Sequence, residues 1–153
     1  MYRILFVCHG NICRSPMAEF ILNDMLKKRG ISGVVSQSAA TSTEEIGNGV
    51  HRGTAAILRR LGIDCSLKRA RQITRADFEN FDLIIGMDSA NIRNIKRFSA
   101  NAPDEKIYRL LDFSASPRDI SDPWYTGDFE QTYQDVLEGC EALIKWLYQN
   151  KII

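Results

Sequence analysis

The chain has 153 residues, a length typical of one domain with a single hydrophobic core. Hydrophobic residues make up 44% of it and charged residues 25%, which argues against intrinsic disorder. The 20 basic and 19 acidic residues leave a formal net charge of +1. This balance argues against non-specific binding to nucleic acid or to a membrane surface, so any bound anion has to be held by a local site.

The four cysteines are too few for a disulfide framework and lack the paired spacing of zinc ligands. They predict a reducing compartment in which one thiol has a chemical role, with Cys65 and Cys140 as core thiols. The apolar run at 4–8 is too short for a signal peptide, and no run approaches the ~20 apolar residues of a membrane span. We therefore expect a cytoplasmic protein with no membrane contacts, although export without a signal would also fit.

The first half of the chain alternates apolar runs with segments of helical period. In chain order it predicts a buried strand at 4–7, a helix with apolar positions from 18 to 25 that stops at Gly30, a strand at 34–39 and a helix over 54–61 that ends at Gly62.

The second half continues this alternation. It predicts a strand at 81–87, a helix capped by Ser89, a strand at 107–111 and an amphipathic helix over 129–147 that begins with a capping box of Asp128 and Gln131. Such alternation implies a parallel sheet covered on both faces. Ligands of these sheets bind at the carboxyl ends of the strands, and the first strand ends at Cys8.

The segment after the first strand has the features of an anion-binding loop. It runs Cys8-His9-Gly10-Asn11-Ile12-Cys13-Arg14-Ser15-Pro16. Pro16 suits the first turn of a helix, and Gly10 and Asn11 tolerate left-handed backbone angles. A loop of this kind can direct several N–H groups at one point beside the positive end of the helix. The segment predicts a site for an oxyanion the size of phosphate.

Cys8 lies where this site would hold its anion. Thiols at helix N-termini and beside cations ionise more readily than free cysteine, which predicts a nucleophilic thiolate. Arg14 can hold two oxygens of a phosphoryl group, and Ser15 can donate a hydrogen bond to the sulfur. The alternative is a buried structural cysteine beside a surface arginine, but it leaves Gly10, Asn11 and the Ser-Pro helix start unexplained.

Residues 8–16, which contain the pattern C-x5-R, closely resemble the loop of the low molecular weight protein tyrosine phosphatases. Further segments resemble the family in the family's order: Ser38-Ala39-Ala40-Thr41-Ser42, Glu45-Ile46-Gly47-Asn48, Arg71-Gln72-Ile73-Thr74, Asp77-Phe78, Phe81-Asp82, Met87-Asp88 and Asp122-Pro123. The resemblance spans nearly the whole chain and implies one phosphatase domain over 1–153. It also implies an α/β fold: a three-layer, doubly wound, flavodoxin-like sandwich with a four-stranded parallel sheet in the order 2-1-3-4.

By this resemblance the reaction runs through a phosphocysteine on Cys8. Asp122 would protonate the leaving oxygen and then activate water, while Arg14 and the loop amides stabilise the phosphoryl charge. No metal or cofactor is expected, and inorganic phosphate would be the product. An Asp-Pro pair is more often only a turn signal, so the role of Asp122 depends on its place in the family pattern.

Other residues are expected to support the loop. The resemblance implies that Asn11 braces it in a hydrogen-bond network with Ser15 and Ser38. Asp88 either holds Arg14 or is simply a carboxylate at a helix N-terminus.

Cys13 would act as a resolving thiol after oxidation of Cys8, as the resemblance suggests. His9 either lines the mouth of the pocket or is a solvated loop residue. We expect His51 to lie at the surface.

Substrate choice is predicted from the pocket walls. Trp124 and Tyr125 follow the acid where family members carry two aromatic residues, and they would form one wall of a deep phosphotyrosine pocket. On the other wall stands Glu44, where many members have a bulky residue, so this side is more open and acidic and would favour basic flanking residues. Relatives acting on phosphoarginine have threonine in place of Ile12, so this residue points to phosphotyrosine.

Three other functions would also use a cysteine or a phosphate site of this kind. An arsenate reductase on this fold would need a cysteine pair near the third strand, and 84–91 contains none. A phosphocysteine carrier needs neither Arg14 nor a late Asp-Pro. A non-catalytic phosphopeptide-binding module would not need Cys8, Arg14 and Asp122 together. The expected partner is a phosphotyrosine protein or peptide, bound by a monomer or weak dimer.

Overall fold

The computed structural model describes residues 1–99 and 104–153, in which four strands alternate with helices. The elements are β1 (Tyr2–Cys8), α1 (Arg14–Lys28), β2 (Val34–Ala40), α2 (Arg52–Arg60), α3 (Asp77–Asn80), β3 (Leu83–Gly86), α4 (Ser89–Ser99), β4 (Ile107–Arg109), α5 (Pro123–Thr126) and α6 (Phe129–Gln149). Short 3₁₀ turns flank β4 at Asp104–Lys106 and Leu110–Phe113.

The four strands form one parallel sheet in the order β2-β1-β3-β4. The predicted strand number, direction and order are therefore confirmed. β1 lies inside the sheet, and its last residue, Cys8, pairs with Ala40 at the end of β2. The loops that follow β1, β2 and β3 consequently leave the sheet at the same edge.

Side chains from β1 enter two separate hydrophobic cores. Ile4 and Phe6 pack with α1, α2 and α6 on one face of the sheet, whereas Leu5 and Val7 pack with α3 and α4 on the other. Because successive strand residues point to opposite faces, a strand covered on both sides is apolar at every position. This confirms the predicted three-layer arrangement.

Two strands are shorter than the sequence predicts. β3 occupies 83–86 rather than 81–87, and β4 ends at Arg109 rather than at 111. Asp112 accepts the backbone N–H of Arg109 at 2.8 Å and also binds its guanidinium, so the chain turns instead of continuing the ladder. The helices α3 and α5, each only four residues long, were not predicted.

The cap of α4 also differs from the prediction. The carboxylate of Asp88 accepts the backbone N–H of Asn91 at 2.7 Å, while the hydroxyl of Ser89 donates to Asp119 instead. At the start of α6, Asp128 accepts the N–H of Gln131, but the side chain of Gln131 turns to Asp135 and the capping box is only half formed.

α6 is the longest helix, and it packs against α1 and the turn at Leu110–Phe113. Gly139 allows the close approach, because a Cβ at this position would collide with Leu110. Among the described residues, no helix has both the length and the apolar character needed to cross a lipid bilayer.

Candidate active site

A narrow cavity of about 110 Å³ opens at the carboxyl edge of the sheet. Its lining residues come from the loop after β1, the loop after β2 and the segment around α5: Cys8, His9, Gly10, Ile12, Cys13, Arg14, Glu44, Glu45, Asp122, Trp124 and Tyr125. The cavity therefore brings together residues more than one hundred positions apart in the chain. We call it the catalytic pocket below.

The backbone of the loop bends at Asn11, whose φ is 59°. This left-handed conformation directs the N–H of Asn11 to the sulfur of Cys8, at 3.3 Å. Gly10 also tolerates left-handed angles, but it is not among the residues with positive φ. A Cβ at Gly10 would lie 3.4 Å from the Cγ of Glu45, which is close to an ordinary van der Waals distance.

A chain of hydrogen bonds connects side chains of α1, β2 and the loop to Cys8. The donor and the acceptor of each bond in this chain can be assigned. The hydroxyl of Ser38 donates to the carboxylate of Glu19 at 2.6 Å, so it accepts from the amide of Asn11 at 2.9 Å. The same Asn11 amide nitrogen donates to Ser15 at 2.8 Å. Ser15 then keeps its own hydrogen for Cys8, whose sulfur lies 3.1 Å away.

Two further residues hold this chain in place. Lys68 lies 3.2 Å from the carboxylate of Glu19 and donates to the backbone carbonyl of Ser38. The backbone N–H of Arg71 donates to the amide oxygen of Asn11, which fixes the orientation of that amide. Glu19 was not predicted as a site residue, although Glu19 lies four positions after Ser15 on α1 and so on the same helix face. Lys68 carries no comparable signal.

Arg14 is only 2% exposed and is held on several sides. Its Nη1 donates to the carboxylate of Asp88 at 2.7 Å and to the carbonyl of Ile120 at 2.8 Å. Burial opposes its positive charge, but nearby Cys8 and Asp88 outweigh this and raise the pKa of Arg14. Within the described part of the chain, the Nε–H of Arg14 has no hydrogen-bond partner.

The sequence left two roles open for Asp88, contact with Arg14 or a position at a helix N-terminus, and the structure shows both. One of its carboxylate oxygens binds Arg14, and the other caps α4 through Asn91. The side chain that orients the arginine is thus itself fixed by a helix end. The contribution of Ile120 could not be foreseen, because a backbone carbonyl leaves no trace in the sequence.

Asp122 faces the pocket at the start of α5. One carboxylate oxygen accepts the backbone N–H of Trp124 at 3.0 Å, while the other lies 3.4 Å from Nη2 of Arg14. The first contact is a regular N-cap followed by Pro123, which fixes the position of the carboxylate.

Two aromatic side chains border the opening of the pocket, and both are largely exposed. Trp124 is 59% and Tyr125 84% exposed. Trp124 meets the edge of His51 at 5.8 Å, and His51 stacks on Phe129 at 5.0 Å. His51 was expected at the surface, but it is only partly exposed and caps α2 by accepting the N–H of Gly53.

At the mouth of the pocket, Nε2 of His9 lies 2.9 Å from the carboxylate of Glu44. Both side chains are exposed, so solvent weakens this contact. His9 is therefore a lining residue with a specific partner rather than a free loop histidine.

The remaining cysteines differ in their surroundings. Cys13 is buried beside the pocket, and burial together with the charges of Cys8 and Asp122 raises its pKa to about 12. Cys140 is buried in the core as predicted, and burial raises the pKa of its thiol. Cys65 was expected in the core but is only partly buried, near the end of α2.

Comparison with known proteins decides the family. A family model described as low molecular weight phosphotyrosine protein phosphatase matches residues 3–152. The chain belongs to this family. It is 42% identical over 154 residues to the low molecular weight protein-tyrosine-phosphatase YfkJ of Bacillus subtilis, covering 99% of each protein.

Solved structures of low molecular weight protein tyrosine phosphatases share the fold. The crystal structure of Bacillus subtilis YfkJ superposes with a TM-score of 0.94 and covers 99% of this chain and 97% of that chain. SP-PTP from Streptococcus pyogenes is 44% identical, with a TM-score of 0.83 and coverage of 97% and 93%. DARP, a Drosophila arginine phosphatase, is 31% identical, with a TM-score of 0.86 and coverage of 93% and 95%.

Proposed function

We propose that this low molecular weight protein tyrosine phosphatase hydrolyses phosphotyrosine through a phosphocysteine on Cys8, with Arg14 binding the phosphoryl group and Asp122 transferring the proton. One observation carries the proposal: the sulfur of Cys8, the guanidinium of Arg14 and the carboxyl of Asp122 line the same narrow pocket. A nucleophile, a cation and an acid around a space of this size are what phosphomonoester cleavage requires.

In the first step, the thiolate of Cys8 attacks phosphorus, forming a P–S bond as the P–O bond to the tyrosine oxygen breaks. Protonated Asp122 gives its proton to that oxygen, so the leaving group departs as a neutral phenol. The Nε–H and the second Nη2 hydrogen of Arg14 are placed to bind two phosphoryl oxygens as a fork, because both Nη1 hydrogens are already used.

In the second step, the carboxylate of Asp122 takes a proton from a water molecule that attacks the phosphocysteine. The P–S bond breaks, inorganic phosphate forms, and Cys8 leaves as a thiolate. The hydroxyl of Ser15 and the N–H of Asn11 stabilise that thiolate, since both lie within hydrogen-bond distance of the sulfur.

The pocket supports an aryl phosphate as substrate. Cys8 is 3% exposed, so its sulfur is reached only by a phosphate on a long, flat group such as the tyrosine side chain. Trp124 and Tyr125 offer aromatic surface at the opening, and Ile12 contributes an apolar side chain to the lining. Phosphoarginine remains the comparison substrate, because DARP shares the fold and is named an arginine phosphatase.

The decisive experiment is hydrolysis of p-nitrophenyl phosphate in the presence of EDTA. Cys8→Ser should abolish turnover, whereas Cys65→Ser, the same change at a partly exposed thiol outside the catalytic pocket, should not. Asp122→Asn should lower kcat by about 10²- to 10⁴-fold, the usual value of general acid catalysis. Full activity of Cys8→Ser would overturn the mechanism.

A comparison of substrates tests the phosphotyrosine assignment. Phosphotyrosine should be turned over with a far higher kcat/KM than phosphoserine or phosphoarginine. A higher kcat/KM for phosphoarginine would show that the aromatic residues and Ile12 do not select the substrate.

We further propose that residues 1–153 work as one domain, as a monomer or weak dimer in the cytoplasm. The match over 3–152 supports the single domain, and the dependence on a reduced Cys8 supports the compartment. Light scattering across a concentration series tests the oligomeric state, and a mass above that of a dimer would contradict it.

A further inference from the structure

Beside the catalytic pocket lies a second, wider groove of about 370 Å³, which we call the side pocket. It is lined by residues of the loops after β1 and β2 and of α4: His9, Thr41, Ser42, Asn94, Arg97 and Phe98. His9 lines both pockets. A peptide with its phosphotyrosine in the catalytic pocket would therefore carry a neighbouring residue past the side pocket.

The two pockets differ in charge. Glu44, Glu45 and Asp122 stand around the catalytic pocket, whereas the described residues that line the side pocket include no carboxylate. Arg97 supplies positive charge there, and it forms no ion pair with the described residues. The side pocket thus suits an anionic group.

Thr41 supplies a second, independent observation. It is 8% exposed, and its hydroxyl is buried without a hydrogen-bond partner among the described residues. Both backbone polar groups of Thr41 are hydrogen-bonded: its N–H donates to the carbonyl of Cys8, and its carbonyl accepts from the side-chain amide of Gln72. Valine has the same shape, so packing alone does not call for a hydroxyl here, and a buried unpaired one is costly. A ligand oxygen that accepts a hydrogen bond from this hydroxyl would remove that free-energy cost.

We propose that the side pocket binds the carboxylate of an aspartate or glutamate adjacent to the phosphotyrosine of the substrate. This inference rests on the proposed function. Arg97 supplies the charge, Thr41 donates a hydrogen bond from the wall, and Ser42 and Asn94 add polar groups within the same groove. The side chain is selected by charge rather than by size, because the groove is wide and open.

The test uses pairs of phosphotyrosine peptides that differ only by Glu or Gln beside the phosphotyrosine, placed on its N-terminal side in one pair and on its C-terminal side in the other. In at least one pair, the protein should prefer Glu in kcat/KM by about tenfold or more, the lower end of the range for a hydrogen bond to a charged group. Arg97→Gln should bring that ratio close to one, and Thr41→Val should lower it. Arg93→Gln removes the same charge from α4 outside the lining and should keep the ratio.

The outcomes separate this inference from the proposed function. Equal kcat/KM for Glu and Gln in both pairs overturns the side pocket and leaves the proposed function intact. An equal fall of the Glu-to-Gln ratio of kcat/KM in Arg93→Gln and Arg97→Gln also overturns the side pocket. That result would show that the overall positive charge of α4, rather than a contact with Arg97, attracts the carboxylate. No turnover of either peptide or of p-nitrophenyl phosphate by the unaltered protein overturns the proposed function itself. If Thr41→Val does not fold, the comparison of Arg97→Gln with Arg93→Gln still decides.

Discussion

Glu19 accepts the hydroxyl hydrogen of Ser38 at 2.6 Å, and this bond sets the direction of the hydrogen bonds that lead to Cys8. An ionised carboxylate can only accept, so Ser38 has to accept from Asn11, and the chain ends with the hydrogen of Ser15 free for the sulfur. The carboxylate of Glu19 on α1 thus sets the orientation of the Ser15 hydroxyl beside Cys8 without contacting either residue.

Glu19→Gln should therefore weaken the hydrogen bond that Ser15 donates to the sulfur of Cys8. A glutamine amide can donate to Ser38 as well as accept from it, so the hydrogen bonds that lead to Cys8 are no longer held in one direction. The loss of one oriented hydrogen bond should lower kcat for p-nitrophenyl phosphate by about three- to tenfold. The rate at which iodoacetate alkylates Cys8 should fall in parallel.

Two control variants distinguish this role from simple loss of stability. Lys68→Gln keeps the carboxylate and the direction, so it should lower the unfolding temperature but preserve the alkylation rate. Asp24→Asn removes a carboxylate that pairs with the exposed Lys28 on the same helix, away from Ser38 and Cys8, and should change neither quantity. An unchanged alkylation rate in Glu19→Gln would contradict the prediction.

His51 links a helix cap to the aromatic border of the pocket, and the two roles can be separated. His51→Asn keeps an acceptor for Gly53 but loses the ring that contacts Trp124 and Phe129. It should raise KM for aryl phosphates about two- to fivefold, the lower part of the range for aromatic contacts, with little effect on unfolding. His51→Phe keeps the ring and loses the cap, so it should lower Tm by about 2–4 °C and keep KM. A raised KM in His51→Phe alone would contradict this assignment.

Local patterns allowed the sheet and the loop to be predicted. The loop at 8–16 carries its own turn residue, helix start and nucleophile, and β1 is apolar because both of its faces are covered. The limits of β4 could not be predicted, since they depend on Asp112 capturing the N–H of Arg109.

Contacts distant in sequence explain what was missed in the site. Arg14 is held by the carbonyl of Ile120, 106 positions away, and Lys68 reaches Glu19 only because the chain folds back along the sheet. His51 looked like a surface residue because its partner Phe129 lies at the start of the last helix. Spacing along the chain reveals none of these contacts.

Cys13 should protect Cys8 from irreversible oxidation, but slowly. The Cys8 thiolate would attack one oxygen of hydrogen peroxide, breaking the O–O bond to give a sulfenic acid and hydroxide; the thiolate of Cys13 would then attack the Cys8 sulfur, displace hydroxide and form a disulfide. Burial is the main cause of the raised pKa of Cys13 and persists after Cys8 is oxidised, so little of the Cys13 thiol is ionised at neutral pH. Below that pKa the rate of disulfide formation should rise about tenfold for each pH unit.

Rapid-mixing measurements of disulfide formation after a peroxide pulse test the pH dependence. The fraction of activity restored by dithiothreitol tests the protection and should rise with pH in the unaltered protein. Cys13→Ser, which lacks the resolving thiol, should lose activity irreversibly as peroxide exposure is prolonged. If this variant recovers as fully as the unaltered protein, Cys13 has no protective role.

Glu44 should favour a basic residue beside the phosphotyrosine, because its exposed carboxylate stands at the mouth of the pocket next to Glu45. Its contact with His9 is also exposed, so a lysine of the substrate can compete for it. Glu44→Gln should reduce the preference for a Lys over a Gln peptide about two- to fivefold, the value of a surface ion pair. Glu79→Gln, a matched change on α3 outside the pocket lining, should leave the preference intact. Added salt should weaken the preference in the unaltered protein, and a preference that survives both salt and Glu44→Gln would show that another group reads the flanking residue.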